Sequence, residues 1–62
     1  MPVVILKMAK GRTLEQKREV VRQFTETLVR TLNVTPDMVT VLVEELNREN
    51  IGKSGVLLSE NK

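Results

Sequence analysis

The run Val3-Val4-Ile5-Leu6-Lys7-Met8 is apolar on both sides of an extended chain, and this is the feature that most constrains the fold. Side chains alternate along a strand, so Val4, Leu6 and Met8 share one face while Val3, Ile5 and Lys7 share the other. A strand of that kind expects cover on both faces. It begins almost at the N-terminus and ends at Lys10-Gly11, a turn signal.

Thr13-Leu14-Glu15-Gln16 then reads as a helix start. The Thr13 side chain suits the N–H of Gln16, and the Gln16 side chain suits the backbone of Thr13, a reciprocal cap. Leu14, Lys17, Val21, Phe24, Leu28 and Leu32 follow at steps of three or four, with Val20 widening the stripe. Glu15, Arg18, Glu19, Arg22, Glu26 and Arg30 take the other side. The pattern predicts a two-sided helix of about 20 residues that stops at Asn33 in a left-handed conformation. Thr35-Pro36-Asp37 opens only a short turn.

Val39 to Leu46 reads as a second strand, with Val39, Val41 and Val43 on one face and Leu42 and Leu46 on the other. Asn47 to Gly55 reads as a loop, Val56-Leu57-Leu58 as a brief terminal strand, and Ser59 to Lys62 as a polar end. The expected fold class is α/β: a single βαβ unit with a short C-terminal hairpin or strand, its two parallel strands joined by a right-handed crossover. One helix covers one face of such a sheet. The opposite apolar face has no partner within 62 residues, so the units are expected to stack sheet to sheet, at least as dimers.

Size and composition point the same way. A domain of about 60 residues buries only about 60% of the surface its unfolded chain exposes. Small chains therefore lean on disulfides, metals or association. With no Cys and no His, disulfides and the usual zinc sites are excluded, and association remains. The 40% hydrophobic content is too high for a disordered chain. Ten Lys and Arg against eight Asp and Glu leave a net charge of +2, which suits small anions. The basic residues are interleaved with acids and Phe24 is the only aromatic residue, which argues against nucleic acid. No run is long enough to span a membrane and the first residues lack a signal-peptide layout, so a cytoplasmic protein is expected.

The same absences exclude a histidine base, a Ser–His triad and a Cys–His pair. The bases left are carboxylates, lysines and the α-amino group. Initiator methionine is normally removed before a small residue, and removal here would make Pro2 the N-terminus, a secondary amine at the head of an apolar strand. A free α-amino group titrates near ~7.7–8.0 in the open, and burial or neighbouring cations lower that. Such an amine serves as general base or nucleophile.

Pro2, the apolar strand after it, Gly11-Arg12-Thr13 and Glu15-Gln16-Lys17 together resemble the 4-oxalocrotonate tautomerase family. The resemblance covers nearly the whole chain, residues 1–62 as one domain: its length, its βαβ order, the Glu44-Glu45 strand end, and Gly52-x-x-Gly55 before Val56. It implies that Pro2, freed by loss of Met1, is the general base of an enol–keto isomerisation of a small unsaturated 2-hydroxy or 2-oxo acid. It implies that Arg12 binds the substrate carboxylate and stabilises developing charge, tasks that suit a guanidinium. It also implies a hexamer built as a trimer of dimers, and no cofactor or metal.

Two positions depart from the pattern. Thr40 stands where the family's best-studied tautomerases have a second arginine, and Ile51 where they have an aromatic pocket residue. A charge-assisted hydrogen bond contributes ~1.5–3 kcal/mol and a neutral one ~0.5–1.5 kcal/mol, so a threonine is a weak replacement. Arg48 is the nearest substitute cation in sequence, with Lys10 and Lys53 as others. Ile51 keeps the pocket wall apolar. The alternatives are one chain of a mixed oligomer, a non-catalytic small-acid-binding homologue, and a proline-dependent hydratase or dehalogenase of haloacrylate-like acids.

Overall fold

The computed structural model describes residues 1–60; positions 61 and 62, the last of the polar end, lie outside the described residues. Strand β1 (Val3–Ala9) leads through Lys10-Gly11 to helix α1 (Leu14–Leu32), and strand β2 (Thr40–Leu46) returns parallel to β1. The register sets Val3 beside Thr40, Ile5 beside Leu42, Lys7 beside Glu44 and Ala9 beside Leu46. The βαβ unit is therefore as the residues predict.

The helix ends follow from their residues. Thr13 N–H donates to Gln16 Oε1 at 3.0 Å and Gln16 N–H donates to Thr13 Oγ1 at 3.1 Å, which satisfies two donors that the first turn leaves free. Asn33 takes φ 59° and its N–H donates to the Val29 carbonyl at 3.1 Å, closing the helix. On the outer face Arg22 donates to Glu19 and, at 2.7 Å, to Glu26. The hydrogen bond from Arg22 holds the Glu19 carboxyl below its ordinary range. Both side chains are exposed, and such pairs add little stability.

The inner stripe differs from the expected one. Lys17, Val20, Val21, Thr25, Leu28 and Val29 are half-buried, whereas Leu14, Phe24 and Leu32 are exposed. A helix of 19 residues is about 28 Å long and overhangs strands of seven residues, about 23 Å, at both ends. Leu14 and Leu32 are those overhangs. A two-stranded sheet is also narrower than a helix, which leaves Phe24 at the flank.

The short C-terminal hairpin of the expected fold class is present, and it takes in Gly52 and Lys53 from the span Asn47–Gly55 that reads as loop. A 3-10 turn at Arg48–Asn50 precedes a hairpin of β3 (Gly52–Lys53) and β4 (Val56–Leu57), and Leu58 begins a last 3-10 turn rather than extending the strand. Ser54 and Gly55 have φ 55° and 80°, the two positive values that a tight two-residue hairpin turn demands and that the Ser-Gly pair tolerates.

No described residue is fully buried. The Cα radius of gyration is 14.8 Å, against about 10.6 Å for a compact 62-residue domain. Accessible surface is 5072 Å², against about 4,100 Å² for a globular chain of 7.1 kDa. The excess lies partly on the sheet face away from α1, where Val3, Ile5 and Leu42 are 54%, 57% and 49% exposed. No helix among the described residues is long and apolar enough to cross a membrane.

Candidate functional site

The residues singled out in the sequence fall at two ends of the sheet. Pro2 is half-buried at the head of β1, and its carbonyl accepts the Thr40 N–H at 3.1 Å. Pro2 and Thr40 are therefore neighbours. Met1 precedes them and is 87% exposed.

Arg12, Arg48 and Ile51 lie at the other end, beyond the last residues of β1 and β2. The Lys10 N–H donates to the Leu46 carbonyl at 3.0 Å, which binds the β1–α1 loop to the end of β2. Gly11, at φ 128°, then turns the chain into the helix, a conformation that favours glycine. Ile51 is half-buried, its N–H donating to the Arg48 carbonyl at 3.3 Å and its carbonyl accepting the Leu58 N–H at 2.9 Å. With about 3.3 Å per strand residue, Pro2 and Lys10 are roughly 26 Å apart, so the two groups do not meet within one chain.

Arg12 stands between two clefts. One, about 360 Å³, runs along α1 over Leu6, Met8 and Val43 and is walled by Gln16, Lys17, Glu19 and Val20. It exists because α1 packs chiefly against β2 and leaves the β1 side of the sheet thinly covered. The other, about 260 Å³, is lined by Met8, Ala9, Lys10, Gly11, Arg12 and Arg48. Arg48 thus joins Arg12 and not Thr40.

One pair in this region was not anticipated. Lys17 Nζ donates to Glu45 Oε1 at 2.9 Å between the helix and the sheet, with the two side chains 26% and 27% exposed. The signal was available: Lys17 sits on the apolar stripe, and Glu45 follows Val41 and Val43 on the helix-facing side of β2. Lys17→Ala is expected to cost about 1–2 kcal/mol, between exposed and buried pairs. The check is the urea midpoint at fixed protein concentration, and Lys17→Met combined with Glu45→Leu should recover most of the loss.

Comparison with known proteins places these residues in context. A family model described as tautomerase enzyme matches residues 2–61. The 2-hydroxymuconate tautomerase of Bacillus subtilis is 37% identical over 60 residues, which is 97% of each chain. A solved 4-oxalocrotonate tautomerase isozyme from Methylibium petroleiphilum is 41% identical with a TM-score of 0.88, covering 94% of this chain and 91% of its own. A heterohexameric 4-oxalocrotonate tautomerase from Chloroflexus aurantiacus, 22% identical, shares the fold, with a TM-score of 0.92 over the full length of both chains. A match over nearly all of the sequence, with the same strand–helix–strand path, makes this chain a member of the tautomerase family.

Proposed function

We propose that the chain is an isomerase in which Pro2, freed by removal of Met1, is the general base for enol–keto isomerisation of a small unsaturated 2-hydroxy or 2-oxo acid. The observation that carries this reading is the family match from residue 2 onward, with Pro2 held beside Thr40 at the head of β1. The amine takes a proton from the enol and returns it to carbon. Arg12 binds the substrate carboxylate and offsets the charge that develops on oxygen. Ile51, at the Arg12 end, would give the Pro2 amine of another chain an apolar wall, which favours its unprotonated form.

Because Pro2 stands roughly 26 Å from Lys10, and Arg12 follows Lys10 in the same loop, Pro2 and Arg12 act on one molecule only if they come from different chains. The exposed face of Val3, Ile5 and Leu42 supports such an assembly, with the whole chain as one unit of a homo-oligomer, a trimer of dimers. Thr40 favours one second reading, a mixed oligomer whose other chain supplies the missing arginine.

Intact mass, which reports loss of Met1, combined with ketonisation of 2-hydroxymuconate and phenylenolpyruvate across about pH 5–9 tests the reading. The active form is the deprotonated amine, so the rate should rise with pH and level off once the proton is lost. A flat profile, or full activity in protein that retains Met1, overturns it. A second chain in native mass spectra of material from the source cell favours the mixed assembly.

A further inference from the structure

Three cations converge on the smaller cleft: Lys10 and Arg12 from the β1–α1 loop and Arg48 from the turn after β2. No acid lines it. Among the described residues the ion pairs are Lys17–Glu45 and Arg22 with Glu19 and Glu26, so none of the three is neutralised. Glu49, next to Arg48 in the turn, makes no ion pair with it.

Three like charges around one cleft repel, and the backbone fixes the two loops that bring them to it. The Lys10 N–H bond to the Leu46 carbonyl pins one loop, and the Asn50 N–H bond to the Asn47 carbonyl at 2.8 Å shapes the turn that carries Arg48. An anion removes the repulsion, and two guanidinium groups with an ammonium group offer more donors than one carboxylate accepts.

The Pro2 end is the reverse. Thr40 is neutral, and from Val34 to Thr40 the one ionisable side chain is that of Asp37. Cationic side chains therefore cluster at one end of the sheet; at the other, Pro2 and Thr40 bring none, and Arg30, in the last turn of α1, lies on the exposed side of the helix.

We propose that Lys10, Arg12 and Arg48 form a single carboxylate clamp, and that the chain acts on acids charged at one end with a neutral remainder. The class of acid rests on the isomerase reading above; the clamp itself does not need catalysis. Arg48 is a specificity-determining residue in this scheme, and a second acid group at the far end of the substrate gains nothing.

Sorbate and cis,cis-muconate separate the possibilities, because they share a six-carbon diene and carry one and two carboxylates, and neither has the enol needed for turnover. Calorimetric titration at low salt should give affinities within about fivefold of each other, since only one carboxylate enters the clamp. Arg48→Ala should weaken sorbate binding by about fivefold or more, with partial recovery in Arg48→Lys and a raised KM at little-changed kcat. Arg30→Ala, on the outer face of α1, removes the same charge and should change neither. Muconate binding more than about fivefold tighter than sorbate, or a smaller loss than that in Arg48→Ala, overturns the proposal. If sorbate does not bind while enol acids turn over with the pH dependence given above, the clamp fails and the proline mechanism stands. Binding that survives with no turnover has the opposite meaning.

Discussion

Replacing Pro2 with alanine is expected to lower kcat/KM for enol–keto conversion by about two to four orders of magnitude, the usual worth of a positioned general base. The ring holds the nitrogen in one direction, and an N-terminal alanine has a primary amine free to rotate. The fold should be unaffected, because the tie to β2 uses the residue's carbonyl, which alanine keeps. Retention of Met1 is the sharper variant. It turns the same nitrogen into a planar amide with no basic lone pair, with every side chain unchanged. Both forms should show wild-type circular dichroism. Activity within about tenfold of wild type in either would assign the base elsewhere.

Ile5→Asp is expected to change the molecule's size rather than its chemistry. Ile5 and Leu42 are partners in the register and stand together at the centre of the open sheet face. Buried against another sheet, an unpaired carboxylate costs several kcal/mol, and in a symmetric contact each copy brings one. An association constant lower by at least about a hundredfold follows from a cost of about 3 kcal/mol. Sedimentation velocity over a dilution series should show the assembly replaced by smaller species with a lower melting temperature. Arg18→Asp, a larger change in charge on the outer face of the helix, should leave the size unaltered. An intact assembly in Ile5→Asp would mean that the copies meet through some other surface.

The fold was legible because its signals are local. Thr13 and Gln16 cap each other over three residues, Asn33 stops the helix with its own backbone, and the β-branched runs define the strands without reference to anything distant. The errors lie where neighbours in space decide the outcome. Leu14, Phe24 and Leu32 fit the helical period, yet a two-stranded sheet is too short and too narrow to reach them. Gly52 and Lys53 look like loop residues, and they form a strand because Ser54-Gly55 turns the chain back onto Val56. At the site, composition made the N-terminal amine the natural place to seek a base. Sequence order cannot show that Arg48 lies beside Arg12 and far from Thr40, since that follows from the parallel return of β2.

Strand β4 of the hairpin packs on the Arg48–Asn50 turn, which in turn packs on the last turn, Leu58–Glu60, within a chain whose longest dimension is 43 Å. Two strands of two residues do not hold themselves together in water. If the hairpin gains its order by lying across a neighbouring copy, each subunit grips the next by an arm as well as by a face. Loss of one copy then uncovers the arms of those that remain. An assembly closed in that way would come apart all-or-none, with sparse intermediates and a steeper transition on dilution than a chain of independent contacts would give.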